Sequence, residues 1–226
     1  MKRIAKIQSD FSSKFGIPRQ SGLVLSLRAT ITFEPEYRNP DALRGLEEFS
    51  HIWVLWEFSE SQQEHWSPTV RPPRLGGNRR MGVFATRSPF RPNPIGLSCV
   101  KLDKIDWENA DGPVLCVSGG DFMDGTPVFD IKPYLPFTDS HPEAVGGCAG
   151  NVYHNRLVVC CAEERMRKIP SRYRKAVIGI LEEDPRPAYQ HDPKRVYGME
   201  FAGMEIRFSV EGDVLTVQDV ITVKKE

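Results

Sequence analysis

The sequence predicts a mainly β protein: an antiparallel barrel or sandwich followed by a small helix-plus-sheet unit. Three observations carry this. Short apolar and β-branched runs recur at close spacing from Ile4 to Lys132, divided by polar turn segments. The composition changes near Asn151, after a stretch rich in Pro, Gly, Asp and Ser. The remaining chain then holds one helical run and three strand-like runs. The two units are expected at residues 1–155 and 156–226.

The elements follow in order. A short strand is expected around Ile4–Ile7. Phe15–Gly22, FGIPRQSG, is a loop, because Pro18 and Gly22 bracket polar residues. Leu23–Phe33 suits a strand pair or one bent strand, with Val24, Ile31 and Thr32 inside it. Glu34–Asn39 is turn-like, and Asp41–Phe49 spaces Leu43, Leu46 and Phe49 as a short helix would. His51–Phe58, HIWVLWEF, is a buried strand with Trp53 and Trp56 in the core, and Ser59–Ser67 is a loop. Gly82–Thr86 and Ile95–Leu102 are strands, followed by a polar connection at Asp103–Gly112. Val114–Ser118 and Thr126–Lys132 are strands joined by the Gly/Asp turn Gly119–Gly125. Pro133–Gly150 is an excursion. Arg174–Glu182 is a helix that stops near Asp184-Pro185, because the residue before a proline is pushed out of the α region. Asp184–Gln190 is a rigid exposed turn, and Arg195–Phe201, Met204–Val210 and Val214–Val223 are strands, the last two joined by a hairpin at Glu211–Asp213.

Composition narrows the function. The formal net charge is zero, so bulk charge does not announce a polyanion partner and any such claim rests on local patches. Cysteines fall at 99, 116, 148, 160 and 161, an odd count without C-x-x-C spacing, which supports neither a zinc site nor a disulfide framework. Reduced thiols in a cytoplasmic protein are the simplest reading. The N-terminal residues lack the apolar core of a signal peptide, and no apolar run approaches a membrane span. G-x-G-x-x-G, Walker A and G-x-S-x-G motifs are absent, and the five His form no H-x-x-x-H pattern.

Four segments carry candidate chemistry. Arg71–Lys101 holds six Arg, five Pro and four Gly and no acidic residue. Within it Thr86–Gly96, TRSPFRPNPIG, places Arg87 and Arg91 on backbone that three prolines hold in shape, as a preorganised anion site requires. Ser118–Tyr134 carries Asp121, Asp124 and Asp130, which as residue types suit turns, general bases or metal ligands, although their spacing is not that of an EF-hand. Phe15–Leu23 is a strand-entry loop, or one whose Gln20 amide contacts a base or ribose. Arg165–Lys175 holds six basic residues, either a solvated helix face or a phosphate track.

Together FGIPRQSGLV, RGLEEFSHIWVLWEF, RPPRLGGNRRMGVFATRSPFRPNPIGLS, DFMDGTPVFDIKPYLPFTDS and DPRPAYQ…RVYGM resemble the TsaA-like family, also called the TrmO family, from near residue 4 to beyond residue 200. The resemblance implies a β-barrel methyltransferase domain followed by a small α+β domain. It also implies a homodimer that methylates N6 of N6-threonylcarbamoyladenosine beside the tRNA anticodon, with S-adenosyl-L-methionine as donor. Such a barrel uses no Rossmann glycine motif.

Carried over by position, the resemblance implies cofactor contacts at Gln20, Ser21, Gly22 and Leu23, and at Arg87 and Leu97. It further implies contacts at Ser118, Gly119, Gly120 and Asp121, and through the backbone at Ser59 and Glu60. Asp121 and Asp124 are the candidate bases for the N6 proton. Arg91 and Asn93 are the candidates to orient the carbamoyl oxygen or the threonyl carboxylate. Arg71–Arg80, Arg165–Lys175 and DPRPAYQ are expected to meet tRNA or a second subunit. A non-catalytic RNA-binding barrel, or a methyltransferase for a small molecule or another base, are the competing readings.

Overall fold

The computed structural model describes residues 1–61, 65–72, 79–147, 156–187, 190 and 192–223. In chain order the barrel unit contains β1 (Ala5–Ser9), β2 (Arg28–Phe33), β3 (His51–Glu57), β4 (Thr69–Val70), β5 (Met81–Gly82), β6 (Ile95–Asp106), β7 (Val114–Ser118), β8 (Pro127–Pro133) and the short α1 (Pro136–Asp139). The C-terminal unit contains β9 (Val158–Cys160), α2 (Glu163–Lys168), α3 (Ser171–Glu182), β10 (Tyr197–Phe201), β11 (Met204–Glu211) and β12 (Val214–Thr222).

Six strands close into an antiparallel barrel in the order β1-β2-β7-β6-β3-β8. The period-2 pattern of β3 explains its placement. Ile52, Val54 and Trp56 point inward, while Trp53 and Leu55 face out and stay half-buried. Ala5, Ile7, Ile31, Leu115 and Val128 complete an interior without solvent contact. Each such Ile or Leu stabilises the barrel by about 1.5–3 kcal/mol relative to exposure.

The second unit is a four-stranded sheet, β10-β11-β12-β9, with β9 parallel to β12. Helix α3 buries Ala176, Val177, Ile180 and Leu181 on it. This core does not stop at the second unit: Phe11, Val24 and Leu27 from the segment between β1 and β2 belong to it. Gly179 and Gly16 mark close approaches, since a Cβ at Gly179 would lie 2.8 Å from Val24 Cγ1 and one at Gly16 would lie 2.4 Å from Met199 Sδ. Tyr173 Oη donates to Asp10 Oδ1 at 3.3 Å, and the Ala202 N–H donates to the Asp10 carbonyl at 2.8 Å. Burial pushes the Asp10 carboxyl above the ordinary carboxylate range, with Tyr173 and Arg172 pulling it back. The C-terminal unit therefore braces the loop that carries Gln20.

Several expected elements differ. Asp41–Phe49 is not a helix but lies across two 3-10 turns, Pro40–Leu43 and Leu46–Glu48, separated by Gly45 at φ +85°. Leu23–Phe33 is a strand only from Arg28; Val24 and Leu27 turn away to join the second core. Gly82–Thr86 is a 3-10 turn over Val83–Ala85, held by the Val83 N–H on the Pro68 carbonyl at 2.9 Å. Asp103–Asp106 extends β6 past a bulge instead of forming a connection. Its polar residues face outward: Asp103 binds Arg28 at 2.8 Å and accepts from Ser118 Oγ at 3.1 Å. Helix α3 begins three residues before the expected Arg174, and β9 and α2 were not expected. Among the described residues no helix is long and apolar enough to cross a membrane.

Candidate active site

A cavity of about 790 Å³ opens at one end of the barrel. That size falls within the ~300–1,000 Å³ typical of small-molecule sites. One wall is the Arg–Pro loop, with Thr86, Arg87, Arg91 and Asn93. The 3-10 turn Ser59–Ser61 and the loop carrying Ile17–Gln20 also line it. The floor is Trp56, Gly96 and Asp121.

Local interactions fix these walls. The Phe58 N–H donates to the Pro94 carbonyl at 2.8 Å, and Ile95 N–H to the Asn93 carbonyl at 2.7 Å. Arg91 Nη1 donates to the Thr86 carbonyl at 3.1 Å, so this guanidinium staples its own loop. Lys14 Nζ donates to the Glu60 carbonyl at 2.7 Å and to Ser61 Oγ at 3.2 Å, which ties the Ser59–Ser61 turn to the N-terminal loop. Trp56 packs edge-on against Phe122 and beside Phe58, with centroids 5.7 and 4.3 Å apart. Gly96 makes room for the indole: a Cβ there would lie 2.2 Å from Trp56 Cε2.

Three buried or half-buried groups form a chain across the floor. Trp56 Nε1 donates to Ser98 Oγ at 2.9 Å, and Ser98 Oγ donates to Asp121 Oδ1 at 2.6 Å. The indole occupies one acceptor lone pair of the serine, which leaves the hydroxyl proton to point at the carboxylate. Burial raises the Asp121 carboxyl above the ordinary carboxylate range; the Ser98 bond, the backbone N–H groups of Asp121 and Ser21, and the Arg87 charge oppose it. A half-desolvated carboxylate on the wall of a cavity is a functional-site signature.

The expected site residues divide. Gln20, Ser59, Glu60, Arg87, Arg91, Asn93, Leu97 and Asp121 all line the cavity. Arg87 Nη1 donates to Gln20 Oε1, so the Arg–Pro loop and the N-terminal loop meet there. Ser21, Gly22, Gly119 and Gly120 stand behind the wall. Ser21 Oγ accepts from the Cys99 N–H at 3.1 Å, and the Gly22 N–H donates to the Gly119 carbonyl at 2.8 Å. Leu23 lines a second cavity next door. Ser118 faces Asp103 on the barrel exterior. Asp124 is not brought to the cavity: its Oδ1 accepts from the Ser9 N–H at 3.1 Å, at the far side of the turn. Asp121, Asp124 and Asp130 are likewise not gathered, and no group of three or more His, Cys, Asp or Glu able to hold a metal occurs among the described residues.

The basic run reads differently in three dimensions. Arg165 Nη1 donates to the Val217 carbonyl at 2.6 Å, and Arg174 Nε to the Ile169 carbonyl at 2.9 Å. Arg167 pairs with Glu163, and Lys168 with Asp219 at 2.6 Å. Four of the six thus bond within the C-terminal unit, although Arg167 and Lys168 stay exposed, as do Arg172 and Lys175. The expected exposed turn after α3 instead tucks Arg186 under it, doubly bonded to Asp184 at 2.8 and 3.0 Å. Arg74, Cys148, His154, Ala188, Tyr189 and His191 lie outside the described residues.

Comparison with known proteins accounts for this layout. The family model of the tRNA-methyltransferase O N-terminal domain matches residues 6–140, and that of the TrmO C-terminal domain matches residues 154–223. The chain belongs to the tRNA-methyltransferase O family. It is 42% identical over 217 residues to the tRNA (adenine(37)-N6)-methyltransferase of Escherichia coli, covering 92% of each chain. It is 48% identical over 177 residues to the protein of that name from Eikenella corrodens, covering 78% of this chain and 99% of the relative. A crystal structure of TrmO from Pseudomonas aeruginosa superposes with a TM-score of 0.76 at 33% identity, over 96% of each chain.

In this TrmO-family chain, reasoning from the sequence missed Ser98 and half-read Trp56. Trp56 is core, as expected, but it also floors the cavity and orients Ser98. The legible signal was the register of β3 with β6. Trp56 pairs with Gly96, and inward positions on β6 alternate through Gly96 and Ser98. A serine on the inward face of a barrel strand needs a polar partner, and Asp121 supplies it.

Proposed function

We propose that the chain is an S-adenosyl-L-methionine-dependent tRNA (adenine(37)-N6)-methyltransferase whose acceptor is N6-threonylcarbamoyladenosine. The carrying observation is the Asp121 carboxylate, held by Ser98 in a cavity whose other wall presents Arg87, in a chain of the tRNA-methyltransferase O family. The activity named for the Escherichia coli and Eikenella relatives supports the adenosine acceptor. A Pseudomonas aeruginosa relative, 40% identical over 226 residues, is described as a putative S-adenosylmethionine-dependent methyltransferase, which supports the donor.

The residues present fit that cofactor. The cavity is large enough, and its lining combines aromatic surface at Trp56 and Phe58 with groups of both charges, Arg87 and Asp121 among them, for a zwitterion. Gln20, Arg87, Leu97 and Asp121 would hold it, with Ser59 and Glu60 on the rim. The bound cofactor supplies a methyl group already activated by its sulfonium, so positioning is most of the remaining task.

The chain's own groups do the rest. N6 of the acceptor loses a proton as it gains a methyl, and the adjoining carbamoyl group makes that proton acidic. The Asp121 carboxylate accepts it, its raised proton affinity suiting a base. Ser98 fixes the orientation of that carboxylate. Asn93, exposed on the rim, orients the carbamoyl or threonyl group, and Arg91 holds the loop that carries it. The enzyme works in the cytoplasm as a homodimer; the exposed Leu25 offers apolar surface for a second copy.

Mass spectrometry of tRNA nucleosides from cells with and without the protein tests this reading. The expected result is loss of N6-methyl-N6-threonylcarbamoyladenosine without the protein. An unchanged nucleoside profile refutes it.

A further inference from the structure

A second cavity, of about 1090 Å³, adjoins the first. Gln20, Arg87 and Pro89 border both, so the two form one trough. Its far wall belongs to the C-terminal unit, through Ile180 of α3 and the turn Glu183–Pro187.

Its charge is one-sided. Arg19, Arg71, Arg80 and Arg87 line it, against the carboxylates of Glu183 and Asp184. Both acids are already engaged: Asp184 by Arg186 at 2.8 Å, and Glu183 by Arg156 at 3.1 Å. Arg71 and Arg80 have no ion pair among the described residues and are exposed. Their placement is built in. Val70 pairs with Met81 in the β4–β5 hairpin, so Arg71 and Arg80 are the next residues on its two limbs. Ring surface lies alongside. Phe90 lines the second cavity at 45% exposure, and Phe84 lines the first at 73%, with Trp66 6.1 Å from it between centroids. Unpaired guanidinium groups beside exposed rings suit a phosphate backbone whose bases are unpaired, because every base has a stacking face.

We propose that this second cavity binds the single-stranded RNA flanking the acceptor adenosine, with backbone phosphates on Arg71 and Arg80 and a neighbouring base against Phe90. The inference rests on the reading of the acceptor as RNA and gives the C-terminal unit a part in recognising it.

The test compares the wild-type chain with an Arg71→Ala/Arg80→Ala double variant and with Phe90→Ala. The probe is a fluorescent anticodon stem-loop RNA carrying N6-threonylcarbamoyladenosine, titrated by anisotropy at several salt concentrations. Circular dichroism, sedimentation and calorimetry with S-adenosyl-L-methionine serve as controls. The double variant is expected to bind the RNA more weakly and to flatten the slope of log affinity against log salt by roughly 1.4, about 0.7 for each lost single-strand phosphate contact. Phe90→Ala is expected to weaken binding about fivefold or more at unchanged salt slope. Cofactor affinity stays the same in both. Unchanged RNA affinity and slope in folded variants overturn the proposal. So does conversion of a wild-type dimer to monomer, which would make the groove a contact between copies. Because the readout is binding, it separates from the parent reading: a wild-type chain that binds the RNA but transfers no methyl refutes the activity and leaves the groove standing.

Discussion

Replacing Ser98 by alanine removes one hydroxyl from the chain Trp56–Ser98–Asp121 and should act on catalysis and stability by separate routes. Ser98 is 1% exposed, and its hydroxyl donates to Asp121 Oδ1 at 2.6 Å. A hydrogen bond to a charged group contributes about 1.5–3 kcal/mol. Because the bond favours the ionised carboxylate, its loss raises the proton affinity of Asp121. A contribution at the lower bound, about 1.5 kcal/mol, corresponds to slightly more than a tenfold change. Asp121 must be ionised to accept a proton, so activity is lost as pH falls through its raised pKa. The acid limb of kcat/KM against pH therefore moves to higher pH in Ser98→Ala, and activity recovers on the alkaline side. Separately, the indole N–H of Trp56 loses its acceptor, which costs about 1–3 kcal/mol of stability. Methyl transfer to tRNA across pH, with thermal unfolding alongside, reads both effects. A folded variant whose acid limb coincides with that of the wild type refutes the proposed role of the serine.

Three further outcomes follow from the same geometry. Asp121→Asn keeps the acceptor for Ser98 but cannot take a proton, so methyl transfer should fall about 10²–10⁴-fold. Its stability at neutral pH should hold or rise. The folded carboxyl binds protons more readily than the unfolded one, so the ionised form at neutral pH opposes folding, and stability increases as pH falls through the raised value toward the unfolded one. Wild-type activity in this variant contradicts the assignment. Gly96→Ala should displace the Trp56 ring, 2.2 Å from the new Cβ, destabilising the barrel by about 1–3 kcal/mol in denaturant melts; an unchanged midpoint contradicts the packing. Arg87→Ala should weaken S-adenosyl-L-methionine binding about tenfold or more by calorimetry, since one charged hydrogen bond is lost; unaltered affinity removes Arg87 from the cofactor site.

The strands were legible where one face of the chain is apolar, as in His51–Glu57, because alternation survives in sequence. They were not legible where outward positions carry charge. Asp103–Asp106 resembles a connection until Arg28 and Ser118 are seen to meet Asp103 from neighbouring strands on the barrel exterior. Asp41–Phe49 shows the opposite failure. Its apolar spacing fits a helix, yet Gly45 adopts the left-handed conformation and divides it. The shape of the Arg–Pro loop was readable, because three prolines restrict it. The destination of each side chain was not. Arg91 and Arg87 stand four apart in sequence, but one staples its own loop and the other crosses to Gln20. Asp121 and Asp124 share one turn and diverge because the backbone reverses between them at the close of the barrel. The basic run was visible as composition; its partners, Val217, Asp219 and the Ile169 carbonyl, come from packing that no local pattern reveals.

The central claim is transfer of a methyl group to N6-threonylcarbamoyladenosine in tRNA, with Asp121 as the base. The most direct measurement incubates the purified protein, wild type and Asp121→Asn, with S-adenosyl-L-methionine carrying a labelled methyl group. Two tRNA samples are compared, one bearing N6-threonylcarbamoyladenosine and one an unmodified transcript, and the nucleosides are separated by mass. Label should enter only the modified nucleoside and only with the wild-type protein. Label in unmodified adenosine, or equal label from Asp121→Asn, contradicts the account.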